Sequence, residues 1–448
     1  METYQSFTSN DQGGLQIAGV DVAQLAKEYG TPLYLMDEDQ VRHACRRYRA
    51  AMEQNFGPRC HVSYASKALC IKAMYPILAQ EGLWADVVSG GELYTALAAG
   101  FDPAKLQFHG NNKTEAELRY GVESGIGGFI ADNREELLAL EQLGAEYGKT
   151  LRVSLRVKPG VDAHTHEFIS TGNIDSKFGF SYENGEAMAA ARLAGSLPHL
   201  ELWGLHCHIG SQIFLTEPYG LAADVMLRLM AQIKEELGQA PQCLNLGGGF
   251  GIAYGPEDRP VPMEEMVAQL AKAVERGCRK YGLEQPYVAI EPGRSIVGPA
   301  GVTVYTVGSV KHIAGVRTYV AVDGGMPDNP RYALYGATYQ AARAASWQAP
   351  KTMEATIAGK CCESGDLVVK DAQIQPVEKG DLLCVFSTGA YNYSMASNYN
   401  RIPRPPVVFL RQGKHAWPCA GRLMSSWCRM ICNTANQKTV GVDLYFIR

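Results

Sequence analysis

The chain has 448 residues, 46% of them hydrophobic and 20% charged, a composition that supports packed cores and excludes global disorder. Its 42 Lys and Arg against 46 Asp and Glu leave a formal net charge of −4, without the basic surplus that marks nucleic-acid or anionic-membrane binders. Twelve scattered cysteines with no C-x-x-C pair exclude a disulfide scaffold and fit reduced thiols. Met1–Gly14 shows no basic stretch followed by an apolar one, and no apolar run approaches about 18 residues. We therefore expect neither a signal peptide nor a membrane span, and a cytoplasmic location.

In chain order, short apolar runs fall at His61–Ala65, Trp84–Val88, Leu106–His109, Gly128–Ala131, Leu151–Val157, Leu202–His208, Cys243–Leu246 and Tyr287–Ile290. Each ends in small or turn-forming polar residues and is followed by a stretch of helical period. One such stretch sets Met226, Leu229, Met230, Ile233 and Leu237 on a single face with Lys234 and Glu235 opposite; Glu135–Leu143 and Glu264–Val274 read similarly. Eight strand runs with helical stretches between them fall within 61–290, which predicts a (β/α)8 barrel over 40–295 rather than an open sheet. Beyond Ser295 the texture becomes β-rich, at Val302–Val310, Arg317–Gly325, Leu367–Ala372 and Asp381–Gly389. That predicts an all-β C-terminal domain over 296–448, joined by the N-terminal segment 1–39.

In a barrel, chemistry sits at the carboxyl ends of the strands. Lys67 directly follows the first run, where burial would lower its amine pKa and make it nucleophilic; taken alone it reads more often as a salt-bridging lysine. Gly247, Gly248 and Gly249 open a loop whose backbone N–H groups can converge on a phosphate. The loop is neither G-x-x-x-x-G-K-[ST] nor G-x-G-x-x-G, so P-loop and dinucleotide folds lack support. A phosphate-bearing cofactor on a barrel loop beside a reactive lysine points to pyridoxal 5′-phosphate (PLP). Glu291, in Glu291-Pro292-Gly293-Arg294, could keep a pyridinium nitrogen protonated, and Arg294 could bind a phosphate or a carboxylate. The pair also reads as a structural ion pair at the barrel rim.

Two His-x-His pairs, His164/His166 and His206/His208, would each set two imidazoles on one face of an extended strand. No cysteine or histidine spacing supplies the further ligands zinc wants, so we expect no metal. His208 suits a flat ring against a cofactor instead, with Ser211 near its phosphate. Cys362, beside Glu363 and Asp366, is more polar in its surroundings than a packed core cysteine.

Together these residues resemble the PLP-dependent diaminopimelate decarboxylases, within the alanine-racemase-like class of barrel decarboxylases. The resemblance spans nearly the whole chain: Tyr64–Ala68 (Y-A-S-K-A), Asp86–Glu92, His109–Lys113, His206–Ser211, Gly247–Gly251, Glu291–Arg294, Pro330–Ala337, Cys362–Asp366 and Gly389–Tyr391. The segment His164–Phe180 and the pair Arg331/Tyr335 are similar to this family in particular, whereas Asn398–Pro406 departs from its usual spacing. The resemblance implies that Lys67 carries PLP. It implies that His208, Ser211, Gly247–Gly249, Glu291, Gly293, Arg294 and Tyr391 bind the cofactor. It further implies that Arg294, Arg331, Tyr335, Glu363 and Tyr391 bind substrate, and that Cys362 protonates the carbanion with Lys67 able to share that role. The implied reaction is decarboxylation of meso-2,6-diaminopimelate at its D-centre to L-lysine and CO₂, the last step of lysine biosynthesis. The implied assembly is a homodimer in which the cysteine motif reaches the partner's site. The alternatives are a decarboxylase of D-lysine, ornithine, arginine or carboxynorspermidine, a racemase, or a PLP-binding protein without turnover.

Overall fold

The computed structural model describes residues 7–161 and 176–419. His164 and His166 therefore lie outside the described residues. Eight parallel strands, Cys60–Ala65, Trp84–Val87, Leu106–Phe108, Gly128–Ala131, Leu151–Lys158, Leu200–His206, Cys243–Asn245 and Tyr287–Ile290, pair in chain order. The eighth returns to the first, with Val288 opposite Cys60 and Ile290 opposite Val62. The sheet is thus the closed (β/α)8 barrel expected. Outward-facing strand residues such as Val153, Leu155, Leu244 and Ile290 share one core with the surrounding helices, while the alternate positions Ser154, Arg156, His206 and Asn245 face the barrel interior.

The helices start and stop where their end residues dictate. Asp37 caps Glu38–Phe56 by accepting from the Gln40 N–H, and Asn133 caps Arg134–Tyr147 by accepting from the Glu136 N–H. Gly148 and Gly238 close helices in the left-handed region, at φ 59° and 79°. Helix Glu217–Leu237 buries Met226, Leu229, Met230 and Ile233, but Leu237, expected on the same face, is exposed in the last turn before Gly238.

A second sheet is built on the long strand Gly301–Ile313. It pairs antiparallel with Arg317–Val322, with Leu382–Phe386 and with the N-terminal strand Leu33–Asp37. Val407–Arg411 then lies parallel to Leu33–Asp37. Leu33 and Leu35 are fully buried against Val302, Val304 and Val408, which is why this N-terminal strand belongs to the β-domain and not to the barrel. Ala341–Arg343 and Met353–Ala358 are further strands that the sequence pattern did not single out. A five-residue helix, Arg331–Tyr335, interrupts the β texture. Among the described residues, no helix is long and apolar enough to cross a membrane.

Candidate active site

Four strand ends converge on one carboxylate. Glu291 follows the eighth strand; His206 and Asn245 are the last residues of the sixth and seventh, and His109 follows the third. All four are buried. Asn245 Nδ2 donates to Glu291 Oε1 at 2.6 Å, His206 Nε2 lies 3.1 Å from Oε2, and His109 Nε2 lies 3.2 Å from Oε1. Burial by itself would raise the Glu291 carboxyl, but His206 and His109 beside it hold it well below the usual range. Burial also drives His109 down to about 4, against the pull of Glu291. Asp86, in the second strand, is pushed well up by burial and by the charge of Glu291. The donor atoms of His109, His206 and Glu291 lie within 4.8 Å of one another, close enough to share an ion. The amide hydrogens of Asn245, however, are aimed at the same carboxylate and would face that ion, so the cluster is better suited to accept an N–H.

A second set of side chains carries positive charge. Arg294 opens the short helix Arg294–Val297; its Nη1 donates to Tyr254 Oη at 2.7 Å and its Nη2 to Ser211 Oγ at 2.9 Å. Arg331, from the β-domain helix, donates from Nη1 to Tyr339 Oη at 2.9 Å. The glycine loop passes close beneath. A Cβ on Gly248 would sit 2.0 Å from the Glu291 carbonyl oxygen, and one on Gly249 2.3 Å from that of Gly210. No side chain fits at either position, so backbone alone forms this wall.

These groups line a cavity of about 470 Å³ at the strand ends. Lys67, Asp86, His109, His206, His208, Ser211, Gly248, Gly249, Glu291, Gly293, Arg294, Arg331, Tyr335 and Tyr391 all contribute to its wall. Lys67 sits on the single turn Ser66–Ala68 directly after the first strand. It is exposed in the cavity mouth, not buried as expected, because only its neighbours Ser66 and Ala68 pack inward. The sixth strand ends at His206, so His208 lies beyond it, but both rings line the same cavity, as the His-x-His spacing suggested. His206 packs on Glu291, and His208 Nδ1 accepts from the Gly248 N–H, with the nitrogens 3.3 Å apart. Gly247 is not on the wall; at φ 69° it makes the turn, and its N–H donates to Asn245 Oδ1 at 2.9 Å.

Cys362 and Glu363 are not on the wall either. Both are exposed on this chain, in a loop where the Cys362 N–H donates to Asn400 Oδ1 at 2.8 Å. Asn400 lies in the segment Asn398–Pro406 and has φ 49°. The residues that sequence reasoning passed over are Asp86, His109, His206 as a partner of Glu291, Asn245, Tyr254 and Tyr339. Asp86 and His109 stood inside quoted motifs, so the signal was present; the two tyrosines carried none.

The wall fits a PLP group on the structure's own terms. It joins an amine, a buried anion suited to a ring N–H, and a backbone cradle beside Arg294, whose Nε is buried without a hydrogen-bond partner. Barrel and site thus define a PLP-dependent decarboxylase of the barrel class. The family described as pyridoxal-dependent decarboxylase, pyridoxal binding domain, matches residues 38–298. Diaminopimelate decarboxylase of Bacillus subtilis is 49% identical over 405 residues, covering 90% of this chain and 92% of that protein. Its counterpart from Staphylococcus aureus is 47% identical, covering 90% and 94%. The crystal structure of diaminopimelate decarboxylase from M. jannaschii in complex with L-lysine superposes with a TM-score of 0.84 at 36% identity, covering 92% of this chain and 94% of that one. The chain belongs to the diaminopimelate decarboxylase family.

Proposed function

We propose that this protein decarboxylates meso-2,6-diaminopimelate at its D-centre, releasing CO₂ and L-lysine as the last step of lysine biosynthesis, with PLP as cofactor. One observation carries the substrate assignment. Among the described residues three arginines line the cavity. Arg156 has a carboxylate beside it, Asp132 at 3.8 Å, whereas Arg294 and Arg331 contact only hydroxyls and aromatic faces. Buried cations without a counter-ion call for an anionic ligand. Beyond the phosphate of a cofactor, a second anion is required, and a distal carboxylate supplies it. Ornithine, arginine and D-lysine lack that group and would leave a guanidinium unpaired.

The residues divide the work as follows. Lys67 holds the cofactor through its amine. Ser211, Gly248, Gly249 and Arg294 hold its phosphate, with Gly247 setting the turn and Gly293 letting the chain approach. His208 and Tyr391 pack against it. Glu291, kept ionised by His206, His109 and Asn245, accepts the ring N–H and so keeps the proton on that nitrogen. Bound PLP supplies an electron-accepting ring that stabilises the pair left behind when the carboxylate departs as CO₂. Arg331, Tyr335 and Arg294 take the distal carboxylate and Glu363 the distal ammonium, so that only the D-centre faces Lys67. Cys362 returns a proton to the carbon that lost CO₂, with Lys67 able to share that role. Because Cys362 and Glu363 are exposed on this chain and absent from its cavity wall, we assign them to the site of a second copy, in a cytoplasmic homodimer with shared active sites.

The test is release of CO₂ and L-lysine by purified, PLP-loaded protein. Turnover of meso-diaminopimelate with little of D-lysine, ornithine, arginine or the L,L isomer is the expected result. Equal turnover of the meso and L,L isomers, or preference for ornithine, overturns it.

A further inference from the structure

Arg294 and Arg331 are only 7% and 5% exposed, and a buried guanidinium ordinarily has an acidic partner. Aromatic rings stand in that place. Arg331 lies over the Tyr254 ring at 4.9 Å and the Tyr339 ring at 5.8 Å; Arg294 lies over Tyr391 at 4.7 Å and Tyr254 at 5.8 Å. Tyr254 touches both cations, by its hydroxyl to Arg294 and by its face to Arg331. Neither Tyr254 nor Tyr339 lines the cavity, so neither meets a ligand directly.

We propose that Tyr254 and Tyr339 are positioning residues that hold the two guanidiniums, charged and aimed into the cavity, as the receptor for the substrate's distal carboxylate, and so set the preference for ligands that carry one. This rests on the substrate reading above. The physical reason is charge balance. A ring face stabilises a cation through its quadrupole and brings no negative charge. An Asp or Glu in the same place would neutralise the arginine and repel an incoming carboxylate.

The geometry also registers two domains. Tyr254 follows the seventh barrel strand, and its loop is tied to the Ser211 loop by the Gln212 amide, which both donates to the Ile252 carbonyl and accepts from its N–H at 3.0 Å. Tyr339 belongs to the β-domain, four residues past the Arg331 helix. Its hydroxyl also lies within 3.4 Å of the Asn392 amide. The two rings meet edge to face, centroids 5.3 Å apart at 89°. The barrel's arginine and the β-domain's arginine are therefore spaced by one tyrosine from each.

The experiment compares the binding of L-lysine, which carries the carboxylate, with that of cadaverine, which has none, by PLP-loaded parent, Tyr254→Leu, Tyr254→Phe and Tyr339→Phe proteins. In Tyr254→Leu, L-lysine binding falls about ten- to thirtyfold while cadaverine stays within about twofold. KM for meso-diaminopimelate rises with kcat close to the parent's. Tyr254→Phe keeps the ring and loses one hydroxyl, so L-lysine weakens by only about threefold to fivefold, as it does in Tyr339→Phe. If Tyr254→Leu does not fold, the two Phe variants decide, and unchanged L-lysine binding in both overturns the proposal. Equal loss of L-lysine and cadaverine overturns it too, since that is general damage. A parent that leaves meso-diaminopimelate unreacted defeats the substrate reading, while the L-lysine against cadaverine contrast still judges the tyrosines.

Discussion

Two regions of one cavity wall bury charge in different ways. Around Glu291, nitrogen groups from three strand ends, His109, His206 and Asn245, surround an anion and leave it able to accept one more N–H. Around Arg294 and Arg331, tyrosines surround two cations and leave them able to take an anion. The first cluster lies wholly within the barrel, so its geometry is fixed once the sheet closes. The second needs the β-domain docked on the barrel, because Arg331 and Tyr339 come from one and Arg294 and Tyr254 from the other. The difference assigns different tasks: the carboxylate cluster tunes the cofactor's ring, and the guanidinium pair takes anions, Arg294 the cofactor's phosphate and, together with Arg331, the distal carboxylate that selects the ligand.

Variants that strike only one region break the comparison open, and Lys67, which serves both, gives the largest effect. Lys67→Ala should lower kcat/KM on the order of ten-thousand-fold or more, and borohydride reduction of the parent should fix the pyridoxyl group on Lys67. Recovery of the label on another lysine defeats that assignment. Arg331→Ala strikes the ligand side alone. It should retain PLP while kcat/KM for meso-diaminopimelate drops about thirtyfold to several thousandfold, the loss of about 2–5 kcal/mol from a charge-assisted clamp on a buried carboxylate. Near-normal kinetics in the folded variant would make Arg331 a structural residue of the β-domain. Glu291→Gln strikes the other side. A neutral amide cannot hold the ring nitrogen protonated, so kcat should fall about a hundredfold with cofactor retention little changed. A kcat within a few-fold of the parent, with PLP bound, removes Glu291 from that role.

The two regions also differ in how far the sequence discloses them. The eight strand runs follow from their pattern, because each apolar run ends in a turn signal and is followed by a stretch of helical period. Lys67, Glu291, Arg294 and the glycine loop stand directly after such runs, so barrel geometry puts them on the wall. His109, Asn245 and His206 become neighbours of Glu291 only when the third, sixth and seventh strand ends are brought together across the barrel, and no linear spacing encodes that meeting. Tyr254 and Tyr339 are harder still. Each is a lone tyrosine in a loop, and their pairing depends on how two domains dock. The exposed position of Lys67 was hidden for a related reason: it depends on where the first strand gives way to the turn Ser66–Ala68, which hydrophobic period does not set.

The smallest effect separates the regions by pH. Guanidiniums stay charged across the accessible range, so acid sensitivity belongs to the barrel side. His61, in the first strand, stacks on Trp84 at 4.2 Å with both ring nitrogens unpartnered, and burial lowers it to about 4 against the pull of Glu291. The unfolded chain takes up a proton on this ring as pH drops through about 6.5, whereas the folded chain stays neutral until about 4. The folded state therefore has its full share of stability above pH 6.5 and loses it as pH falls towards 4. His109, also lowered to about 4, adds in the same direction. His61→Phe fills similar space without a basic nitrogen, so its stability should fall less steeply, by about 2 kcal/mol relative to the parent between pH 7 and pH 5. Urea midpoints at the two pH values measure it. Arg331→Ala should keep the parent's acid slope. Identical slopes for the parent and His61→Phe would mean that His61 titrates in the fold as it does in the unfolded chain, and the acid sensitivity would then have to come from His109 and the carboxylates around it.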